Sequence, residues 1–363
     1  MKPENATTTI TDVARLAGVS SATVSRYFNG ARVEKREAIK DAIAQLSYRP
    51  SIAARNLKTG RSGLIAVIVP DVTNDFFSAI VQGAESVATN DRMVLLVNTG
   101  DSREREEKAL DQLLGRVDGV ILAPLTEDEE IPSRFRELGI PLVFVDRVTI
   151  SGAGVSSVIA DNAKGAALAA NHLLDHGHSR IAMIGGPSGT TPGRFRAEGF
   201  GEALSARGAE SSGDYFIESD FGEQGGYHSM EQLLRLDPPP TAVFTANNLM
   251  TLGALKLLRD RGVGVPQEIS LIGFDDIATA ELLSPPLTAI ARDAFQQGAL
   301  AMTLVTRLLD EGSTALVEHS VVDVELIERS SCGPPRSNDS LTSATRMFDS
   351  ADAGSIHKEK REK

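Results

Sequence analysis

Over the first sixty residues the apolar positions recur at helical intervals: Ile10, Val13, Ala14 and Ala17, then Val24, Tyr27 and Phe28, then Ile39, Ile43 and Leu46. Steps of three and four residues put such side chains on one face of a helix, so the pattern predicts three short helices around one small core. Between the first two, Gly18 suits a left-handed turn and Ser20 can cap the helix that follows. Pro50 ends the third helix, and Ile52 to Thr59 runs as a short basic segment up to Gly60-Arg61-Ser62-Gly63, which reads as a hinge.

From Leu64 the period changes. Apolar runs of strand length (Leu64–Val69, Met93–Val97, Val120–Ala123, Pro141–Val145, Ile181–Ile184, Ala242–Phe244 and Leu271–Ile272) alternate with longer amphipathic stretches. Buried strands joined by helices predict parallel, doubly wound α/β sheets. The body, about 265 residues to Glu328, is large for one such sheet, so two similar lobes with a cleft between them are expected. After Glu328 the chain turns rich in Ser, Asp, Pro and Lys and reads as disordered. The expected boundaries are a helix-turn-helix head over 1–48, a hinge over 49–62, a two-lobed body over 63–328 and a tail over 329–363.

Charge alters this picture more than composition does. The chain of 363 residues has a net charge of -12, which alone would argue against a nucleic-acid partner. Residues 1–61, however, hold 11 Lys and Arg against 5 Asp and Glu, leaving 26 against 44 for the remainder. A basic module precedes an acidic body. No stretch approaches the roughly 20 apolar residues of a membrane span. Met1 to Thr9 has no secretory pattern and Cys332 is the single cysteine, so a cytoplasmic location is expected.

Residues 10 to 29, Ile-Thr-Asp-Val-Ala-Arg-Leu-Ala-Gly-Val-Ser-Ser-Ala-Thr-Val-Ser-Arg-Tyr-Phe-Asn, closely resemble the start of the lactose-repressor (LacI/GalR) family. The likeness continues through Tyr48-Arg49-Pro50, Ala53-Ala54-Arg55-Asn56-Leu57-Lys58 and the body, omitting only the tail. It implies that the lobes are of periplasmic-binding-protein type and that the second helix enters the major groove of DNA. Ser21, Ala22 and Arg26 would then approach base edges, while Ser20, Thr23, Ser25 and Asn29 reach phosphates. Arg26 is the best base reader, because a guanidinium can bond guanine bidentately; its plainer alternative is a phosphate-binding or solvated arginine. The resemblance makes Leu57 a wedge into a minor-groove step, flanked by Arg55 and Lys58, and predicts a pseudo-palindromic operator with a deformable centre. A linker leucine packed on the body is the alternative.

In the body, polar and aromatic residues cluster near strand ends, where α/β folds bind ligands. These are Asn74, Phe76 and Phe77, Asp146 and Arg147, Arg194 and Arg196, Phe221, Asn247 and Asp275. Sugar recognition needs such a mixture of flat apolar faces and hydroxyl partners. The set is similar to the pocket of ribose-binding proteins and ribose-type repressors, with two departures. Asn248 stands where relatives carry aspartate, and Arg292 stands where ribose binders carry glutamine. Arg292 would favour a sugar acid or sugar phosphate, or would pair with Asp293. Arg196 has the alternative of a salt bridge to Glu198 or Asp275. A monosaccharide effector is expected, ribose first.

Other signals lead nowhere on spacing alone. Ile184 to Gly189 lacks the residues of a phosphate loop or dinucleotide fingerprint, so no cofactor is expected. The histidines show no metal-ligand spacing; His172, His176 and His178 cluster, but His176-Gly177-His178 reads as a helix C-terminus. Asp275-Asp276 has no accompanying nucleophile, so no enzyme is expected. The resemblance implies a homodimeric repressor under allosteric control. The rivals are a sugar carrier or enzyme on the same lobes, and a global regulator controlled by a protein partner.

Overall fold

A computed structural model describes residues 8–28, 30–49, 60–89, 92–151, 154–209, 213–312 and 316–336. The chain divides into two compact units, Met1–Gly63 and Leu64–Lys363.

The first unit has three helices, α1 (Ile10–Ala17), α2 (Ser21–Phe28) and α3 (Arg36–Gln45). Thr9 and Asp12 close a reciprocal capping box at the start of α1, and Gly18 ends it at φ 63°, a left-handed conformation that favours glycine. The hydroxyl of Ser20 accepts from the Thr23 amide at 3.2 Å, capping α2 from the position immediately before it. Val13, Ala14, Ala17, Val24, Ile39 and Ala42 fill the core. The apolar spacing read from the chain therefore marks the buried face of each helix, except that Phe28 at the end of α2 is exposed.

The second unit contains two six-stranded sheets. The first lobe comprises β1 (Leu64–Val69), α4 (Asp75–Val87), β2 (Met93–Asn98), α5 (Arg103–Leu113), β3 (Gly119–Leu122), α6 (Glu130–Glu137), β4 (Leu142–Val145) and β5 (Ser156–Ala160). The second comprises α7 (Asn162–Asp175), β6 (Ile181–Gly185), α8 (Thr191–Ala206), β7 (Phe216–Glu218), α9 (Glu223–Leu234), β8 (Ala242–Thr245), α10 (Asn248–Arg261), β9 (Ser270–Phe274) and β10 (Thr288–Arg292). The chain then returns with α11 (Ala294–Glu311) and β11 (His319–Val322) to the first sheet, and ends with β12 (Val324–Ile327) on the second.

The strand orders correspond lobe to lobe: β11-β5-β4-β3-β1-β2 and β12-β10-β9-β8-β6-β7. Every pairing is parallel except β10 with β12. Strands β3, β4, β6, β8 and β9 are buried along their whole length, which is why they read as unbroken apolar runs. The chain crosses between lobes three times, at Asp161, Asp293 and Asp323. At the last crossing a single residue separates Val322, in the core of the first lobe, from Val324, in the core of the second.

The expectation of disorder from Arg329 onward is corrected through Arg336. The Leu271 amide donates to the Ser331 carbonyl at 2.9 Å, and the Ser331 hydroxyl accepts from the Thr288 amide at 2.8 Å. Arg329 pairs with Asp276 at 2.7 and 2.8 Å. Side chains of low hydropathy thus pack by hydrogen bonding, which an apolar pattern does not register. Cys332 is held there, its thiol pushed up to about 12 by burial. The rest of the tail, Asn29 and the hinge from Pro50 to Thr59 lie outside the described residues. No helix among the described residues is long and apolar enough to cross a membrane.

Candidate functional site

On the head, Ala22 and Arg26 are exposed on α2 and Ser21, Thr23 and Ser25 half-buried, while Val24 faces the core. One side of the helix is thus anchored and the other presents small residues and one guanidinium. Ser20 and Thr23 have their hydroxyls 2.9 Å apart, so each is held in place while an acceptor lone pair and a proton remain for a further partner. Asn29, Arg55, Leu57 and Lys58 fall among the undescribed residues.

In the body, a cleft of about 490 Å³ opens between the lobes at the C-terminal ends of their strands. Of the residues singled out from the sequence, Asn74, Phe76, Phe77, Asp146, Arg147, Arg196, Phe221, Asn247, Asp275 and Arg292 line it. Arg194 does not. Two residues along a helix is a rotation of about 200°, so Arg194 and Arg196 leave α8 on nearly opposite sides. Arg196 enters the cleft, and Arg194 pairs with the wholly buried Glu127 of the first lobe at 3.2 Å. Glu127 also accepts from the Thr191 amide at the start of α8, which makes it a latch between lobes.

Arg292 lies at the centre, its side chain only 4% exposed. Nε donates to Asp275 at 2.6 Å and Nη1 to Asp146, while the guanidinium carbon lies 3.4 Å from the centroid of Phe76. The expected pairing with Asp293 is not formed; that carboxylate caps α11 by accepting from the Gln296 amide at 2.7 Å. Asp146 and Asp275 follow the equivalent strands β4 and β9, and both take left-handed backbone, φ 68° and 73°. Non-glycine residues held there cost about 1–3 kcal/mol each, and here the shared guanidinium fixes them. Burial opposes the charge of Arg292, but the two carboxylates outweigh it and raise its pKa. Phe76 therefore gives a ring face to Arg292, and Phe77 and Phe221 are the flat surfaces left for a ligand.

Arg196 is buried completely. Its Nε donates to Asn162 at 2.8 Å, Nη1 donates to the Ala246 carbonyl, and the guanidinium carbon lies 3.6 Å from the Phe274 centroid. Neither of the expected salt bridges, to Glu198 or to Asp275, is formed. Its Nη2 has no hydrogen-bond partner among the described residues, and neither does Nε of Arg147. Burial, assisted by the neighbouring Arg292 cation, lowers the Arg196 pKa to about 9, so it is still charged at neutral pH. Asn248, in place of the family's aspartate, bonds across the cleft: its Nδ2 donates to Oδ1 of Asn74 at 2.9 Å.

Sequence reasoning missed Asp71, Asp101 and Asp220 at the cleft, as well as Leu125 and Thr190. Asp101 at φ 53° carries a pKa raised by burial, with Arg147 lowering it and Asp71 and Asp220 adding to the rise. Asp71 and Asp101 follow the legible strands β1 and β2, which was the available signal, whereas β7 before Asp220 is too short to read; exposed-looking aspartates in turns are common.

Behind Leu125 lies Glu106 on α5, 1% exposed, accepting from the Leu125 amide at 3.0 Å. The Leu125 carbonyl in turn accepts from Arg147 at 3.2 Å. Burial pushes the Glu106 carboxyl up to about 7, against the pull of the Leu125 amide and of Arg147 and Arg103. A carboxyl raised from its ordinary 4.5 binds its proton more tightly in the folded chain, so stability is highest below 4.5 and falls as pH rises through 7. Glu106→Gln keeps an acceptor for Leu125 and is expected to be more stable than the parent by about 3 kcal/mol at pH 8, with little difference at pH 4. Urea unfolding at the two pH values measures this; an equal difference at both would show that Glu106 is not the linked group.

Comparison with known proteins places this geometry. Residues 9–51 match the bacterial regulatory proteins of the lacI family, and residues 170–332 match a periplasmic binding protein-like domain. The ribose operon repressor of Escherichia coli strain K12 is 38% identical over 306 residues, 82% of this chain and 92% of that protein. The regulator CelR of Thermobifida fusca is 35% identical over 89% of this chain and 98% of its own. Among solved structures, the lac repressor dimer bound to operator and the anti-inducer ONPF is similar at 28% identity and a TM-score of 0.79, over 90% of this chain and all of that one. A regulator of the family from Enterococcus faecalis V583 with bound ribose is 30% identical at a TM-score of 0.67, over 75% of this chain and all of that one. These relatives are transcriptional regulators, and the chain belongs with them to the LacI family, as a DNA-binding transcriptional repressor.

Proposed function

We propose that the repressor binds a pseudo-palindromic operator as a homodimer and that a neutral monosaccharide, ribose first, occupies its cleft and shifts its affinity for DNA. The observation that carries the sugar reading is the completely buried Arg196, which lines the cleft with an unpartnered Nη2. A buried donor left so costs about 1–3 kcal/mol, and a ligand oxygen removes that cost. The charges favour a neutral ligand: five carboxylates (Asp71, Asp101, Asp146, Asp220 and Asp275) line the cleft against three guanidiniums (Arg147, Arg196 and Arg292). Two of the five already neutralise Arg292. Sugar hydroxyls donate well to carboxylates, whereas a phosphate would meet net repulsion.

On this reading Phe77 and Phe221 stack on the ring, while Asn74, Asn247, Arg147 and Arg196 bond its oxygens. Asp146 and Asp275 accept hydrogen bonds from its hydroxyls, with Phe76 and Arg292 as the floor that holds them. On the DNA side, Arg26 reads a base with Ser21 and Ala22 beside it, Ser20, Thr23, Ser25 and Asn29 hold phosphates, and Leu57, with Arg55 and Lys58, opens a central minor-groove step. Homodimer formation is supported by the edge strand β2, where Met93 is 67% exposed and Leu95 and Leu96 also face outward. The boundaries proposed are a head to residue 48, a hinge over 49–62 and a body from 63.

The test is a calorimetric titration of the full chain with D-ribose and ribose 5-phosphate. Ribose is expected to bind at least about tenfold more tightly than its phosphate. The reverse order would make the ligand anionic, and no heat from either would turn the reading toward a protein partner.

A further inference from the structure

At the far end of α7 from the cleft lies a group of side chains that the repressor reading does not use. His172 is in the last turn of α7 and His176 caps it. Four residues apart, they stand on one face of the helix, with ring centroids 4.5 Å apart. The chain leaving β12 brings Glu328 to the same place, so that one donor atom from each of the three lies within 4.8 Å of the others. His172 is 7% exposed, and its Nε2 is buried with no hydrogen-bond partner among the described residues. His176 is pre-oriented: its Nδ1 lies 2.9 Å from the His172 carbonyl, which can only accept. Nδ1 therefore carries a proton, and in the neutral ring Nε2 holds the lone pair, the tautomer that metal-ligating histidines adopt. Burial, with His176 adding to it, also favours the neutral form of His172, while Glu328 and Asp175 oppose.

We propose that His172, His176 and Glu328 form a binding site for a divalent transition-metal ion of the zinc type. Two imidazole nitrogens and one carboxylate oxygen suit zinc and its neighbours, whereas magnesium and calcium take oxygen ligands. Bonds of about 2.0–2.2 Å at tetrahedral angles put donors about 3.3–3.5 Å apart. Glu328 is the exposed member, so its side chain is free to turn toward the two rings. His178 takes no part, since its nitrogens are engaged by Thr241, Ser270 and Gly333. The residue after His172 is Leu173, so the pair lacks the glutamate base of a metalloprotease helix. The ion would instead tie the end of α7 to the chain leaving β12. Ten residues, about 15 Å of helix, separate His172 from Asn162, which holds Arg196, so the site is distinct from the cleft.

The test uses the untagged full chain, stripped with a chelator and titrated with zinc against a chromogenic competitor, with cobalt as the spectroscopic probe. One equivalent per chain is expected, with a tetrahedral cobalt spectrum and a rise in thermal midpoint on adding zinc. His176→Ala and Glu328→Gln, both outside the buried core, are each expected to weaken binding by at least about tenfold and to abolish the thermal rise. Absence of binding in the parent chain would overturn the proposal. So would unchanged affinity in either variant, which would place the ion elsewhere, on His228, His319 or His357 for example.

Discussion

Arg292→Gln is expected to lower the free energy of unfolding of the body by about 3–5 kcal/mol, the usual cost of removing one partner from a buried ion pair. The guanidinium is the shared partner of two carboxylates, Asp146 from the first lobe and Asp275 from the second, each less than a tenth exposed. Glutamine leaves both buried and without the hydrogen-bonded cation they share, with only the more distant Arg196 charge nearby, and frees two residues whose left-handed backbone the guanidinium holds. Arg292→Lys should lie between parent and glutamine, since an ammonium keeps the charge but not the fork that reaches both carboxylates. Urea unfolding of the three proteins decides the matter. A loss below about 1 kcal/mol for glutamine would mean that water replaces the guanidinium, and that the triad is closer to a solvated than to a buried one.

Arg196→Met is the complementary case, with a large effect on ligand and a smaller one on stability. A hydrogen bond from a charged donor contributes about 1.5–3 kcal/mol, so ribose affinity should fall by about 10- to 150-fold. Methionine keeps an apolar stem over Phe274, where the guanidinium now lies, and relieves the unpartnered Nη2. The bonds to Asn162 and to the Ala246 carbonyl are lost, so stability should fall by no more than about 2 kcal/mol. Calorimetry with ribose and urea unfolding separate the two effects. Unchanged ribose affinity in a folded variant would remove Arg196 from the ligand and with it the observation on which the sugar reading rests.

Arg194 and Arg196 show where residue order stops being informative. Both follow the cap of α8 and both are arginines in the right region, but the turn of the helix sends one into the cleft and the other to Glu127. Choosing between them needs the angle at which α8 leaves β6. Arg292 is similar. Its immediate neighbour Asp293 offered a partner, yet the chain crosses between lobes there, and the side chain turns to carboxylates far away in sequence. The strands β5, β7 and β10 to β12 were also not legible. Ser156 and Ser157 in β5, the short β7, Arg292 in β10 and exposed residues in β11 break the apolar runs that mark a strand.

The chain's own pattern determined the three-helix head, its capped turn at Gly18 to Ser20, and a body of buried parallel strands. These depend on local periodicity and on backbone preferences that each short segment carries by itself. It also determined half of the residues around the cleft, because α/β sheets place ligands at strand ends and several of those ends can be read from hydropathy. Tertiary structure alone decided which polar groups meet: Arg292 with Asp146 and Asp275, Arg194 with Glu127, and His172 and His176 with Glu328. Such pairings join residues distant in sequence, and their geometry follows from the three crossings between lobes, which no local propensity encodes.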